Sequence, residues 1–476
     1  MDIRWEQQMP IVRFYLYWGN GKSKAPQTKT VYIHKNCLRL CTYFVIKALY
    51  LLTKTVYIHK NCICMKFERE HYIEKLISSK HNHLIKIVTG LRRVGKSYLL
   101  LNLYKQHLLD NGVDTSHIIE IKLDSFAYRK YRKAETLYEY VENLTKQDRQ
   151  MYYVIIDEVQ MLEDFVDVLN GFLHIDNLDV YVTGSNAKFL SSDIVTEFRG
   201  RGVQIHLQPL SFKEIKEKSN DDTSSLWRDY IYYGGLPMVV IEKDKARKAE
   251  ILQELLKETY LSDIINRNNV KNDAELEELF SLLASNIGAL TNPNKLANTF
   301  VSEKKVKISH NTIKTYIDYF IDSFLIDKAV RYDIKGKKYI DTPYKYYFAD
   351  LGLRNALLNF RQVEPTHIME NIIYNHLIGK GYKVDVGCVT LYQKDDEGKT
   401  TRTTLEVDFV CNRGSERVYI QSAYSLPDED KQRQEQRSLT LTDDSFTKII
   451  ITRDDIPTHT MPNGIIMMNV FDYLLN

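Results

Sequence analysis

Two short stretches carry residue types that act on phosphates. Gly90-Leu91-Arg92-Arg93-Val94-Gly95-Lys96-Ser97 has the form G-x-x-x-x-G-K-[ST]. Its two glycines let the backbone fold into a nest of amides aimed at oxygens, and the helix start that follows adds positive potential. Lys96 is then the cation for the outer phosphates and Ser97 a hydroxyl ligand for Mg2+, with Arg92, Arg93, Val94 and Tyr98 completing the loop. The second stretch is Asp157-Glu158. Adjacent carboxylates suit magnesium chemistry, Asp157 holding the metal or its water and Glu158 polarising the water that attacks a γ-phosphate.

These residues need rigid supports, and the flanking patterns supply them. Ile85, Ile87 and Val88 have strand character before the loop, and a helix from Lys96 to about Asp110 ends at the C-cap signal Asn111-Gly112. A second strand is expected over His117–Leu123 and a helix over Ala134–Thr145. Tyr152–Ile156 is a continuous apolar run, as in a parallel strand buried on both faces, and it delivers Asp157-Glu158 at the end where open α/β sheets bind ligands. Leu178–Thr183 and Val203–Leu207 add two more strands. The order predicts a doubly wound, largely parallel sheet. An arginine just before the last strand can serve as a finger on a γ-phosphate, in its own chain or a neighbour's. Arg201 is the first choice and Arg199 the alternative, against a reading in which both form surface ion pairs.

GLRRVGKS, YYVIIDEVQ, VYVTGSNAKFLSSDI, FRGRGV and LQPLSFKEI, in that order, resemble the AAA-type ATPases of the large archaeal and bacterial ATP-binding protein family, close to the STAND signalling ATPases. The resemblance covers residues 65–476 and implies ATP as ligand, Mg2+ as cofactor and an additional-strand P-loop sheet. In that fold a polar residue after the strand between the two Walker strands senses the attacking water, which points to Ser185 or Asn186; the plainer reading is a capped turn. WRDYIYYGGLPM, residues 227–238, also matches the family, and its Gly234-Gly235 followed by Pro237 requires a tight turn.

Beyond the ATPase stretch, apolar spacing predicts helices over Leu276–Leu290, Asn294–Phe300 and Asn311–Phe324, then two strands around Asp333–Lys338. Three helices and a basic hairpin resemble a winged helix. Were it to bind DNA, Lys307, His310, Asn311 and Lys314 would lie at the third helix start, with Lys335, Lys337 and Lys338 in the wing. Protein contact is the equal alternative, since Asp318 and Asp322 follow on that helix. In the last part, a helix carrying Glu370 and strands over Lys383–Val386, Leu405–Val410 and Val418–Ala423 resemble the restriction-endonuclease-like fold. A metal-dependent nuclease would use Asp408 with Glu370 or Glu406. The third strand, however, supplies Gln421-Ser422-Ala423 where an acid and a lysine are needed, so a scaffold without catalysis is expected.

The expected organisation is therefore an extension over 1–64, the ATPase domain over 65–215, a helical and winged-helix region over 216–345, and a nuclease-like domain over 346–476. The extension carries TKTVYIHKNC twice, at 28–37 and 53–62, and Met65 opens a natural start, so 1–64 is read as a product of an upstream start codon or translated repeat DNA. A real appendage is the rival. Cys37, Cys41, Cys62 and Cys64 lack zinc-ribbon spacing, and only Cys388 and Cys411 follow, which favours a reducing cytoplasm. The apolar stretch Leu38–Leu52 is broken by Arg39 and Lys47 and is too short to span a membrane. A net charge of +3 with 44% hydrophobic and 27% charged residues describes a soluble chain whose basic surface, if any, is local. Three functions stay in view: an ATPase that switches its C-terminal parts, a DNA-binding module regulated by ATP, and a metal-dependent nuclease. A finger acting between subunits would require a homo-oligomer.

Overall fold

A computed structural model describes residues 66–184, 198, 200–304, 308–394 and 400–476. The direct repeat, the four early cysteines, Ser185, Asn186, Arg199 and Lys307 lie outside the described residues. Phe67–Asn476 forms one compact unit.

Five strands form the first sheet: β1 (Ile85–Thr89), β2 (Ile118–Lys122), β3 (Tyr152–Asp157), β4 (Leu178–Thr183) and β5 (Gly202–His206). All pairs are parallel and the order is β2-β3-β4-β1-β5. The order follows from burial. Every residue of β1, β3 and β4 is buried, so these three occupy the middle and need cover on both faces. Alternation along the strands divides the cover: Val88, Ile155, Tyr181 and Ile205 face one core, whereas Ile87, Val154, Ile156 and Val182 face another. Lys86 breaks the apolar pattern of β1 and is fully buried, paired with Asp179 of β4, which also accepts the Tyr181 hydroxyl at 2.8 Å. That pair ties together the two strands nearest the phosphate loop.

The helical region matches the expected order. Helices Asp273–Ser285, Pro293–Lys304 and His310–Asp322 precede a hairpin of β6 (Ile326–Asp333) and β7 (Lys338–Phe348). Ser309 caps the third helix, its hydroxyl accepting from the Thr312 amide at 3.0 Å. The hairpin does not stand apart, because β6 pairs with β8 (Lys383–Lys394) through Arg331–Asp333. This satisfies its open edge within an eight-stranded sheet completed by β9 (Thr400–Arg413), β10 (Glu416–Ala423), β11 (Thr447–Thr452), β12 (His459–Thr460) and β13 (Ile466–Asn469). The order is β12-β13-β11-β10-β9-β8-β6-β7. A boundary between residues 345 and 346 would fall inside β7. The expected strands 383–386 and 405–410 are each longer, since β8 and β9 form one extended antiparallel ladder.

One apolar core runs from the helix side of the first sheet through Trp227, Leu279, Phe320 and Phe348 to Phe409 and Leu474. The first sheet therefore shares its interior with the C-terminal elements. Among the described residues no helix is long and apolar enough to cross a membrane.

Candidate functional site

The phosphate loop leaves the end of β1 at Gly90, whose φ of +137° suits only glycine and whose missing Cβ makes room for the Leu207 carbonyl, 2.3 Å from where a Cβ would stand. Arg93 has φ +66° and Gly95 φ +103°, and a Cβ at Gly95 would meet nothing within 4 Å. The space beside Gly95 is thus open. The helix then starts at Lys96 and continues through Leu99–Tyr104 to Asp110. Lys96 folds its ammonium back to the Gly90 and Leu91 carbonyls at 3.0 and 2.9 Å. Burial pushes its pKa down to about 8. A polyphosphate in the nest would offer that ammonium anionic oxygens in exchange for neutral carbonyls.

Asp157 at the end of β3 lies beside the loop. Ser97 donates its hydroxyl to Asp157 Oδ1 at 2.8 Å, and Thr183 of β4 donates to the same oxygen. Burial raises the Asp157 pKa, and these two hydroxyls oppose the rise. Two hard oxygen donors in contact fit Mg2+. Glu158 follows in a left-handed conformation, φ +56° and ψ +50°. Its amide donates to Thr183 Oγ1 at 3.1 Å, and Gln160 donates to its carboxylate. Thr183 therefore touches both members of the acidic pair through one oxygen. Neither Thr183 nor Gln160 was expected to take part. A threonine ending the strand that precedes Gly184 is the only signal that could have indicated the first.

Of the other loop residues, Arg92 is exposed and pairs with Asp263 on helix Ser262–Asn268, while its carbonyl accepts the buried Tyr260 hydroxyl at 2.6 Å. Val94 is buried, and Tyr98 is partly exposed. Arg201 is not brought to the site. Its carbonyl accepts the Ile85 amide at the beginning of β1, and its guanidinium donates to Asn170 at 3.1 Å. It lies at the opposite end of the sheet, about 20 Å along the strand from Gly90 at 3.3 Å per residue. The reading of a finger acting within its own chain is corrected by that placement.

A second set of acids converges in the C-terminal sheet. Glu370 on helix Pro365–Gly379 and Glu406 and Asp408 on β9 surround the ammonium of Lys345 from β7, at 2.8, 2.7 and 3.3 Å. Tyr347 donates to Glu370 at 2.6 Å, and the Ser422 amide donates to Asp408 at 2.9 Å. Gln421 accepts the Asp408 amide at 3.3 Å and donates to Glu435 at 3.1 Å. Lys345 holds its proton firmly because three carboxylates face it. Its charge keeps Glu370 ionised, whereas burial beside two other acids pushes Asp408 up to about 7. Ala423 is buried and supplies nothing, as expected. The lysine instead arrives from the hairpin, where the run Tyr344-Lys345-Tyr346-Tyr347 was the available signal. Lys314, Lys335, Lys337 and Lys338 are exposed.

A family model described as an AAA domain matches residues 82–216, and one described as a domain of unknown function (DUF8612) matches residues 224–364. An uncharacterised protein of Haemophilus influenzae is 34% identical over 412 residues, covering 86% of this chain and 98% of its own. An uncharacterised protein of Methanocaldococcus jannaschii is 27% identical over 376 residues, covering 76% of this chain and 78% of its own. Among solved structures, the Aeropyrum pernix Orc1 protein in complex with DNA aligns over 61% of this chain and 92% of its own, at 12% identity and a TM-score of 0.27, too slight a likeness to carry an argument. The phosphate loop, the acidic strand end beside it, the matching AAA domain and a relative similar over nearly its whole length place this chain in the family of AAA-type P-loop ATPases whose AAA domain is followed by a domain of unknown function.

Proposed function

We propose that the protein binds ATP with Mg2+ and hydrolyses it slowly to ADP and phosphate, the nucleotide state repositioning the C-terminal parts. The observation that carries this reading is the contact of Ser97, Asp157 and Thr183 at the ends of three adjacent elements, beside the phosphate loop and Lys96. Ser97 and Asp157 would hold Mg2+, which when bound would offset charge on the phosphate oxygens. Lys96 neutralises the oxygens of the leaving ADP. Glu158 takes a proton from the water as its oxygen bonds to the γ-phosphorus and the bridging P–O bond breaks. Tyr260 and Asp263 support the coupling, since both touch Arg92 from the helical region. Arg201 would act as a finger only on a neighbouring subunit's nucleotide, which makes an oligomer part of that reading.

The test is ATP turnover by the parent, K96A and E158Q. Both variants are expected to lose about two orders of magnitude or more, and E158Q to retain bound ATP. Turnover equal to the parent's in both would end the proposal.

Exposed Lys314, Lys335, Lys337 and Lys338 favour a second reading, a winged helix that contacts DNA. Because the apolar core is shared, the test uses the whole chain: duplex affinity should fall steeply with salt, and K335A/K337A/K338A should flatten the slope by about three units. No binding at low salt would leave protein contact as the role of this surface.

A further inference from the structure

The carboxylates of Glu370, Glu406 and Asp408 come from a helix and from two same-face positions of one strand, and they aim at one point. Such a convergence of hard oxygens has a large electrostatic cost unless a cation stands at its centre. That centre is occupied by Lys345 Nζ, 2.7 to 3.3 Å from an oxygen of each acid. The ammonium is a point charge carrying three donors, which suits three acceptors converging on one position. Its side chain is 4% exposed and those of Glu370 and Asp408 are 6% and 10% exposed, so solvent contributes little to neutralising them.

The strand just beyond Lys345 is pinned to the helix that carries Glu370. Asn371, next to Glu370 on the helix, accepts the Phe348 amide at 2.7 Å and donates to the Phe348 carbonyl at 2.8 Å. Tyr347, two residues beyond Lys345 on the same side of β7, donates to the same Glu370. Across the cluster, Asp408 is fixed by the Ser422 amide of β10. Gly288, in the loop before helix Pro293–Lys304, passes so close that a Cβ there would stand 3.2 Å from the Glu370 carboxylate. Three segments, β7, the helix and β9, therefore meet at one ammonium, and β10 and the Gly288 loop close on its acids.

We propose that Lys345 is the cluster's own cation, pairing with Glu370, Glu406 and Asp408 where a divalent metal would otherwise stand and thereby fastening the hairpin strand β7 onto the helix and strand that carry the acids. The acid cluster is thus metal-independent in the intact chain. The lysine missing from β10 has a counterpart that serves the fold rather than a hydrolytic reaction.

The experiment compares melting temperatures of the full-length parent, K345M, and K345M/E370Q/D408N, each with EDTA and with millimolar Mn2+. K345M strands the buried Glu370 and Asp408, with Glu406 beside them 34% exposed, and is expected to melt at least about 5 °C below the parent. Neutralising two of those acids removes the reason for the loss, so the triple variant should recover more than half of it. The parent's melting temperature should be the same in EDTA and Mn2+. A triple variant no more stable than K345M would overturn the proposal. So would a parent that Mn2+ stabilises and whose response D408N abolishes, because the metal would then be the cluster's cation. Should K345M fail to fold, the triple variant alone decides: folded supports neutralisation, unfolded refutes it.

Discussion

At the scale of single residues, one hydroxyl that no motif names joins both members of the acidic pair at the proposed ATP site. Thr183 donates to Asp157 and accepts from the Glu158 amide, so it fixes the carboxylate expected to hold Mg2+ and the backbone that aims the expected base. Replacing it with valine keeps the shape of β4 and removes both bonds. T183V is expected to lower kcat about tenfold, close to 1.4 kcal/mol in the barrier, while ATP affinity stays within about threefold of the parent's. Single-turnover kinetics beside equilibrium ATP binding separates the two. A fall in affinity with kcat unchanged would show that Thr183 shapes the loop instead of the acids. Lys96 and Ser97 were legible from the motif because phosphate binding requires those types at that spacing. Thr183 was not, because its partners lie 25 and 26 positions away in sequence.

At the scale of elements, the turn after helix Thr223–Tyr233 is packed too closely for a side chain at either of its glycines. Gly234 has φ +70°, and a Cβ there would stand 2.4 Å from the Asp350 carboxylate; a Cβ on Gly235 would stand 2.1 Å from the Leu210 carbonyl. Asp350 explains the closeness. Its carboxylate accepts the Gly235 amide at 2.8 Å and, as the cap of helix Leu351–Leu357, the Leu353 amide at 3.0 Å. The neighbouring Asn355 donates to the Ile231 and Tyr232 carbonyls at 2.8 and 3.0 Å. The Gly-Gly-Leu-Pro turn is thus a joint between the end of the ATPase stretch and the segment before the last helix-and-sheet part. G235A is expected to cost about 3 kcal/mol or more in urea unfolding, since backbone must move. G379A is the control: a Cβ there meets nothing within 4 Å, and the change should be neutral or stabilising by up to about 1 kcal/mol. Equal losses in the two variants would contradict the steric account. The sequence required a turn at Gly234-Gly235, but it could not say that Asp350 would enter it.

At the scale of the whole molecule, packing of the C-terminal parts leaves His206 and His376 only partly exposed. His206 of β5 bonds to Thr89 at 3.2 Å and its ring meets Phe324 of the helical region at 4.6 Å. They line a cavity of about 290 Å³ with Gln204, Asp327, Tyr374 and Ile378. Burial pushes His206 down to about 4 and His376 down to about 3. The folded protein therefore keeps both neutral while the unfolded chain binds protons below 6.5. Their contribution to stability is complete above that pH and is lost as the pH falls toward 4, by up to about 1.4 kcal/mol per histidine per pH unit. Asp327 and Asp350, raised to about 6 by burial, act in the opposite direction, losing their contribution as pH rises through that value. Comparing urea midpoints of the parent with those of H206Q/H376Q cancels the aspartates. The parent should lose ground to the variant between pH 6.5 and 4.5, and parallel curves would refute the assignment.

The sequence by itself determined what depends on neighbours along the chain. Apolar runs set the strands, glycines at fixed offsets set the phosphate loop, and acids at a strand end set the expected metal site, because backbone geometry and short-range periodicity are local properties. Tertiary structure alone decided the contacts across sheets. Arg201 was placed at the far end of its strand by parallel register, and Lys345 was brought among acids 25 to 63 residues away by the pairing of a hairpin with a sheet. A charge's role depends on which other charges share its low-dielectric surroundings, and that is settled only when distant strands pack.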